Sequence, residues 1–98
     1  MLFRSPLETG AQQPTKLAHV ALFDAGSDTP PRRQLWKVFI ERLRDLGYVE
    51  GKHVRFERRW AGAKRDRLRS IARELVALKV DAIVPMARTA AIAAKQAT

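Results

Sequence analysis

The chain contains no cysteine, which excludes disulfide frameworks, thiolate nucleophiles and cysteine-ligated metals, and suits an oxidising or a reducing compartment equally. No apolar stretch approaches the roughly 20 residues that cross a bilayer. Histidine is scarce. His19 and His53 stand far apart, and neither has a carboxylate at metal-ligand spacing, so no metal site and no Ser-His-Asp arrangement can be argued. The glycine patterns that cradle phosphates, G-x-G-x-x-G and the P-loop, are both missing, so nothing calls for a nucleotide or another cofactor. Acidic residues are few: 10 Asp+Glu face 19 Lys+Arg, a formal net charge of +9. That field attracts anions, nucleic acid and anionic lipid among them, and it also describes part of a chain whose acidic half lies elsewhere.

What is present is an ordinary globular composition, 46% hydrophobic, in a length of 98 residues that suits one small domain or a piece of one. Residues 1–16 are polar and turn-rich and read as a disordered N-terminal tail; one basic residue, Arg4, and no apolar core of sufficient length leave no secretory signal there. After them, strand and helix patterns alternate. Leu17–Phe23 is a nearly unbroken apolar run, and Pro31–Leu46 shows helical periodicity. Val54–Trp60 alternates, Asp66–Lys79 is helical, Val80–Val84 is apolar again and is stopped by Pro85, and a third helix begins at Thr89. In the first helix Leu35, Trp36, Phe39, Ile40, Leu43 and Leu46 form one buried stripe; in the second Leu68, Ile71, Ala72, Leu75 and Leu78 do so. Gly47 stands where a helix C-terminus wants a left-handed residue, Ser27, Asp28 and Thr29 are helix-starting types, and Gly26 permits unusual dihedrals in the loop before them.

The β-α-β-α-β-α order predicts an α/β fold: a partial Rossmann-like three-layer sandwich with a parallel sheet covered by helices. Continuous apolar runs mark strands 1 and 3 as central, and alternation marks strand 2 as an edge. With right-handed crossovers this favours spatial order 2-1-3. Three strands are about half the usual sheet. Strand 3 then lacks a neighbour, and the isolated chain is expected to self-associate through an exposed strand edge.

In open parallel sheets ligands bind beyond the carboxyl ends of the strands, where the strand order reverses. Order 2-1-3 puts that crevice between Asp24–Thr29 and Pro85–Thr89. The second loop leads into a helix N-terminus suited to a carboxylate, with Arg88 able to add a charge-assisted contact and Ser27 and Thr89 offering hydroxyls. The plainer reading makes Ser27, Asp28 and Thr89 helix caps and Arg88 a solvated surface residue. Asp24 ends strand 1 where a phosphoacceptor could sit, but the rest of a receiver site is not evident. The basic cluster Lys52, Arg55, Arg58, Arg59, Lys64, Arg65, Arg67 and Arg69 surrounds Trp60 as a nucleic-acid patch would, yet alternation puts Trp60 on the face of Val54 and Phe56, in the core; no nucleic-acid partner is expected.

Leu46-Gly47-Tyr48-Val49-Glu50-Gly51-Lys52, then Arg59-Trp60-Ala61-Gly62, Asp66-Arg67-Leu68, Ala72-Arg73-Glu74-Leu75-Val76, Leu78-Lys79-Val80-Asp81 and Ala93-Ala94-Lys95-Gln96-Ala97-Thr98, in that order, resemble the ABC transporter substrate-binding protein family of the tryptophan/tyrosine type. The resemblance runs from about Ala11 onward. It implies the type I periplasmic-binding-protein fold, with residues 17–98 as the first half of lobe 1, a partial N-terminal lobe of a solute-binding domain. It implies a binding component without catalysis and without metal or cofactor. Its ligand is a small carboxylate or amino-acid-like solute captured outside the cytoplasm, in the periplasm or its equivalent, and passed to an ABC permease. Carried over by position, the lobe-1 ligand loops are Ala25, Gly26 and Ser27 with Met86, Ala87, Arg88 and Thr89. The family shows a small Gly/Ser-Gly-Thr/Ser-Pro sequence where this chain has Met86-Ala87-Arg88-Thr89, so Arg88 changes the ligand or blocks the crevice. The readings from other classes are a small α/β enzyme or regulatory domain using the same crevice, and a basic nucleic-acid-binding module.

Overall fold

A computed structural model describes residues 17–98; the expected tail at 1–16 lies outside the described residues. The elements are β1 (Ala18–Asp24), α1 (Pro30–Asp45), β2 (Val54–Trp60), α2 (Arg65–Ala77), β3 (Ala82–Met86) and α3 (Arg88–Ala97). The three strands form one parallel sheet in the order β2-β1-β3. Ala18 through Asp24 pair with Val54 through Trp60, and Val20 through Asp24 pair with Ala82 through Met86. The fold is therefore the α/β sandwich with the 2-1-3 sheet that the patterning predicts.

The chain reverses its direction across the sheet after β2, which puts α1 and α2 on opposite faces. On one face Ala21 and Phe23 pack with Leu68, Ile71, Ala72 and Leu75 of α2 and with Ala90 and Ala93 of α3. On the other, Val20, Leu22, Val54 and Phe56 pack with Trp36 and Leu43 of α1. Val20, Leu22 and Phe23 are buried on either side of the central strand, each stabilising the fold by about 1.5–3 kcal/mol. The two faces are unequally covered, two helices against one. Leu35 is 55% exposed and Leu46 71%, so the flank of α1 turned toward β3 leaves the expected buried stripe. Ala82, Val84 and Met86 of β3, which share the α1 face, are only half-buried. Leu78, expected inside, is exposed because α2 ends before it, at Ala77.

The ends of the elements show how local chemistry sets them. Pro30 and Pro31 occupy the first two positions of α1, where an N–H has no intrahelical acceptor. At its other end Gly47 (φ 102°) donates to Arg44 O, and Tyr48 donates to Leu43 O at 2.8 Å. That pair of bonds is the Schellman closure that the glycine makes accessible. Strand 3 departs from expectation. It begins two residues later, after the turn at Lys79 (φ 56°), and runs through Pro85 to Met86. Met86 O accepts from Ala25 N–H of the β1 segment. In a parallel sheet alternate residues turn their backbone groups to the same neighbour, so Met86, Val84 and Ala82 address β1 while Pro85 faces outward. Its missing N–H therefore falls on the unpaired edge, where proline is tolerated.

Along β2 a chain of polar contacts covers the α2 face. His19 Nε2 lies 2.7 Å from Glu57 Oε1, and Arg59 bridges Glu57 and Glu74 at 3.0 Å each. The hydrogen bonds from His19 first, and from Arg59 second, hold the Glu57 carboxyl below its ordinary range, while Glu74 and then Glu57 hold the Arg59 guanidinium above its own. A carboxyl with a lowered folded pKa stabilises the fold above its unfolded value and loses that contribution as pH falls through the folded value. Glu57→Gln should therefore lower the melting temperature by a constant amount down to the ordinary carboxyl value of 4.5 and by progressively less below it. Melting curves of both proteins between pH 7 and 3 check this; a difference that does not shrink in acid would remove Glu57 as the source.

Candidate functional site

The carboxyl end of β1 finishes on a buried charge. Asp24 has no solvent exposure, and each of its carboxylate oxygens is occupied. Oδ1 accepts from Arg32 Nη2 at 2.7 Å, from Arg32 Nε at 2.9 Å and from the Gly26 N–H at 2.8 Å. Oδ2 accepts from Arg32 Nε at 3.1 Å and from the Trp36 indole N–H at 2.9 Å. Burying a carboxylate costs several kcal/mol unless charge and hydrogen bonds replace its water. Here a fork-shaped guanidinium, an indole and a backbone amide replace it. Asp24 raises the Arg32 pKa further above its high ordinary value, chiefly through the hydrogen bond. This arrangement accounts for Asp24 as a structural anchor and leaves it no exposed oxygen for phosphoacceptor chemistry.

Gly26 follows from the same anchor. Its φ is not positive; what it supplies is space. A Cβ there would lie 2.6 Å from Arg32 Nε, which is pinned on Asp24 and cannot swing aside without breaking that contact. The loop is held from the other sides by backbone. Ala61 N–H donates to Asp24 O (2.9 Å), Gly62 N–H to Gly26 O (2.9 Å) and Ala63 N–H to Ala25 O (2.7 Å). Gly62 and Ala63 both take left-handed φ, 64° and 61°, to present those amides. Across the crevice Ala25 N–H donates to Met86 O at 3.2 Å. The loops after all three strands thus meet at one end of the sheet.

The structure distributes the seven expected site residues unevenly. Ala25 is buried in the core with α2 and α3, and the Met86 side chain packs with the α1-face cluster; their backbone groups are joined to each other. Gly26 is half-buried beneath the loop, and Ser27, Ala87, Arg88 and Thr89 are exposed. Among the described residues, the side chains of Ser27, Arg88 and Thr89 have no hydrogen-bond or ion-pair partner. Neither Ser27, Asp28 nor Thr89 caps a helix. The N-cap positions are Thr29, Lys64 and Ala87, none with a side-chain cap, and Asp28 instead lies 3.4 Å from Arg33. Ala87 adopts φ 90°, ψ 148°, a conformation that glycine holds easily and that costs other residues about 1–3 kcal/mol. It turns the chain from β3 directly into α3, whose first N–H groups have no side-chain cap.

Two contributors are not legible in the sequence: the Asp24–Arg32–Trp36 cluster and the Ala61–Ala63 brace. The one available signal for the first was a carboxylate closing an apolar strand with an arginine and a tryptophan one helical turn apart. The basic cluster is largely spent on structure. Arg58 pairs with Glu50, Arg59 with Glu57 and Glu74, Arg67 donates to Trp60 O, and Arg55 reaches His19 Nδ1 at 3.3 Å. No group of three or more metal-ligating side chains occurs among the described residues, and none of their helices is long and apolar enough to cross a membrane.

No family model and no curated protein matches this sequence. A solved structure does: a conserved domain protein from Vibrio cholerae O1 biovar eltor strain N16961, with 29% identity and a TM-score of 0.77. The match covers 85% of this chain and 28% of that one, so the chain spans little more than a quarter of that protein, which is about three times as long.

Asp24→Asn keeps the shape of the anchor and removes its charge. It should destabilise the chain by about 3 kcal/mol, the range for breaking a buried pair from one side. Arg32→Ala should cost at least as much, because it leaves a fully buried carboxylate without its counter-charge, whereas the guanidinium left by Asp24→Asn is 33% exposed and can be hydrated. Urea unfolding of the two variants tests this; equal and small losses would mean that Asp24 is not the anchor.

Proposed function

We propose that this chain is the opening half of lobe 1 of a solute-binding component of an ABC importer, acting by capture and not by catalysis. The observation that carries the reading is the meeting of loops 25–29 and 86–89 at the carboxyl end of the sheet. They are tied through Ala25 N–H and Met86 O and face an uncapped helix N-terminus with the unpartnered side chains of Ser27, Arg88 and Thr89. A preformed rim of this kind suits a small carboxylate or amino-acid-like solute. The motif order Leu46–Lys52, Arg59–Gly62 and Asp66–Leu68 supports the family reading, and with it a location outside the cytoplasm, a second lobe that closes on the ligand and an ABC permease as partner. The length of the similar solved chain, about three times this one, agrees with a larger whole. The alternative of a small α/β enzyme would need an acid/base pair in the crevice, and its one buried carboxylate, Asp24, is engaged on every side.

Isothermal calorimetry on a two-lobe version of the protein, with a panel of small carboxylates and amino acids, tests the reading. Binding should be found, and Arg88→Ala should change its affinity by about tenfold, the size of one charge-assisted contact. Unchanged affinity would take Arg88 out of the site; no binding across the panel would overturn the solute class.

The lobe reading also implies that β3 is an interior strand of a larger sheet. In the isolated chain its outer edge and its half-covered Ala82, Val84 and Met86 face would then pair with a second copy. Sedimentation velocity should show dimers growing with concentration, and Val84→Lys should suppress them. A chain that stays monomeric throughout would count against an interior β3.

A further inference from the structure

Beside α1, on the side away from β3, lies a groove of about 430 Å³, within the size range of small-molecule sites. Leu22, Trp36, Ile40 and Trp60 form its apolar surface, so both tryptophans of the chain line it. We propose that this groove binds a planar aromatic molecule without net charge, separately from the crevice at the strand ends; the proposal does not depend on the solute-binding reading.

Three features carry it. The first is the pair of indoles. Aromatic faces reward flat ligands, and each stacking contact contributes about 1–3 kcal/mol in comparable sites. The second is rigidity. The Trp36 ring, 6% exposed, is fixed by its N–H bond to Asp24 Oδ2 (2.9 Å) and by edge contact with Phe39 at 5.9 Å, so it forms a set wall of the groove, and the half-buried Trp60 ring beside it supplies the open aromatic surface. The third is the balance of charge. In a protein of net charge +9 the groove's rim is neutral: Asp28 lies 3.4 Å from Arg33, Glu50 lies 3.4 Å from Arg58, and Lys37 faces outward one turn from Glu41. Among the described residues neither Lys37 nor Glu41 has an ion-pair partner, so each is available to a polar group at the ligand's edge. A rim with equal numbers of both signs offers nothing to a polyanion, unlike the rest of this surface. Because Asp24 also fixes Gly26, groove and crevice loop share one rigid support.

The test uses the full chain, labelled with 15N, and coumarin, a neutral fused bicycle. The two indole N–H resonances report directly on the groove. Both should shift and saturate at about millimolar coumarin, the strength a ligand of that size can reach. Trp60→Ala should weaken binding about tenfold. Should that variant fold poorly, contacts between coumarin protons and the Ile40 methyl groups, seen as intermolecular NOEs in the unaltered protein, carry the same information. The anionic coumarin-3-carboxylate should bind no tighter than coumarin. Indole shifts that never saturate, tighter binding of the anion, or indole shifts that follow protein concentration without any ligand, the mark of a second copy in the groove, would each overturn the proposal.

Discussion

The carboxyl end of the sheet depends on one buried charge. Asp24 closes the central strand with no access to water, and its stability requires every donor around it: the Arg32 fork, the Trp36 indole and the Gly26 amide. Each donor belongs to a different structural need. Arg32 and Trp36 fix the first turns of α1 over the sheet. Gly26 fixes the start of the loop that faces the crevice. A hydrophobic replacement could fill the same volume, but it could not aim three donors from three places at one point. The anchor thus converts the end of a strand into a loop of defined shape, and the Ala61–Ala63 brace and the Met86 carbonyl complete that definition from both sides.

The rest of the molecule is organised around the unequal covering of β1's neighbours. Two helices shield one face of the sheet and one helix the other. The flank of α1 with Leu35 and Leu46, and the half-buried Ala82, Val84 and Met86, form an apolar trough over β3. Apolar surface of this extent beside an open strand edge normally meets a partner. The outward-facing Pro85 limits what that edge can donate while leaving its carbonyls free. This asymmetry, more than the crevice itself, supports the view of the chain as one wall of a larger sheet.

The legible part of the fold followed from periodicity and caps. The unbroken apolar run of β1, the alternation of Val54, Phe56 and Trp60, and the double proline opening α1 all appear where local chemistry placed them. Gly47 closes α1 with the left-handed turn its position suggested. The misplacements share one cause, which is that neighbours along the chain do not reveal neighbours in space. Leu35 and Leu46 satisfy a helical stripe yet lie largely exposed on the flank of α1. Pro85 suggests a stop and is tolerated inside β3 because its nitrogen, which lacks an N–H, falls on the open edge. Gly26 suggests a loop residue with unusual dihedrals and is instead a gap reserved for Arg32. Ala87 holds a conformation suited to glycine, and no feature of the residue itself announces it.

By itself the sequence determined the order and type of the elements, the 2-1-3 arrangement of the sheet and the end of the sheet at which loops converge. These depend on hydrophobic period, turn residues and the handedness of crossovers, all written within a few residues of one another. Only the tertiary structure decided that Asp24 is an anchor and not an exposed acid, that Arg55, Arg58, Arg59, Arg67 and Arg69 of the basic cluster have partners within the chain, and that both tryptophans line a single groove. Burial and partnership arise between segments that are distant in the chain, and no local pattern encodes a desolvated charge or the donors that gather around it.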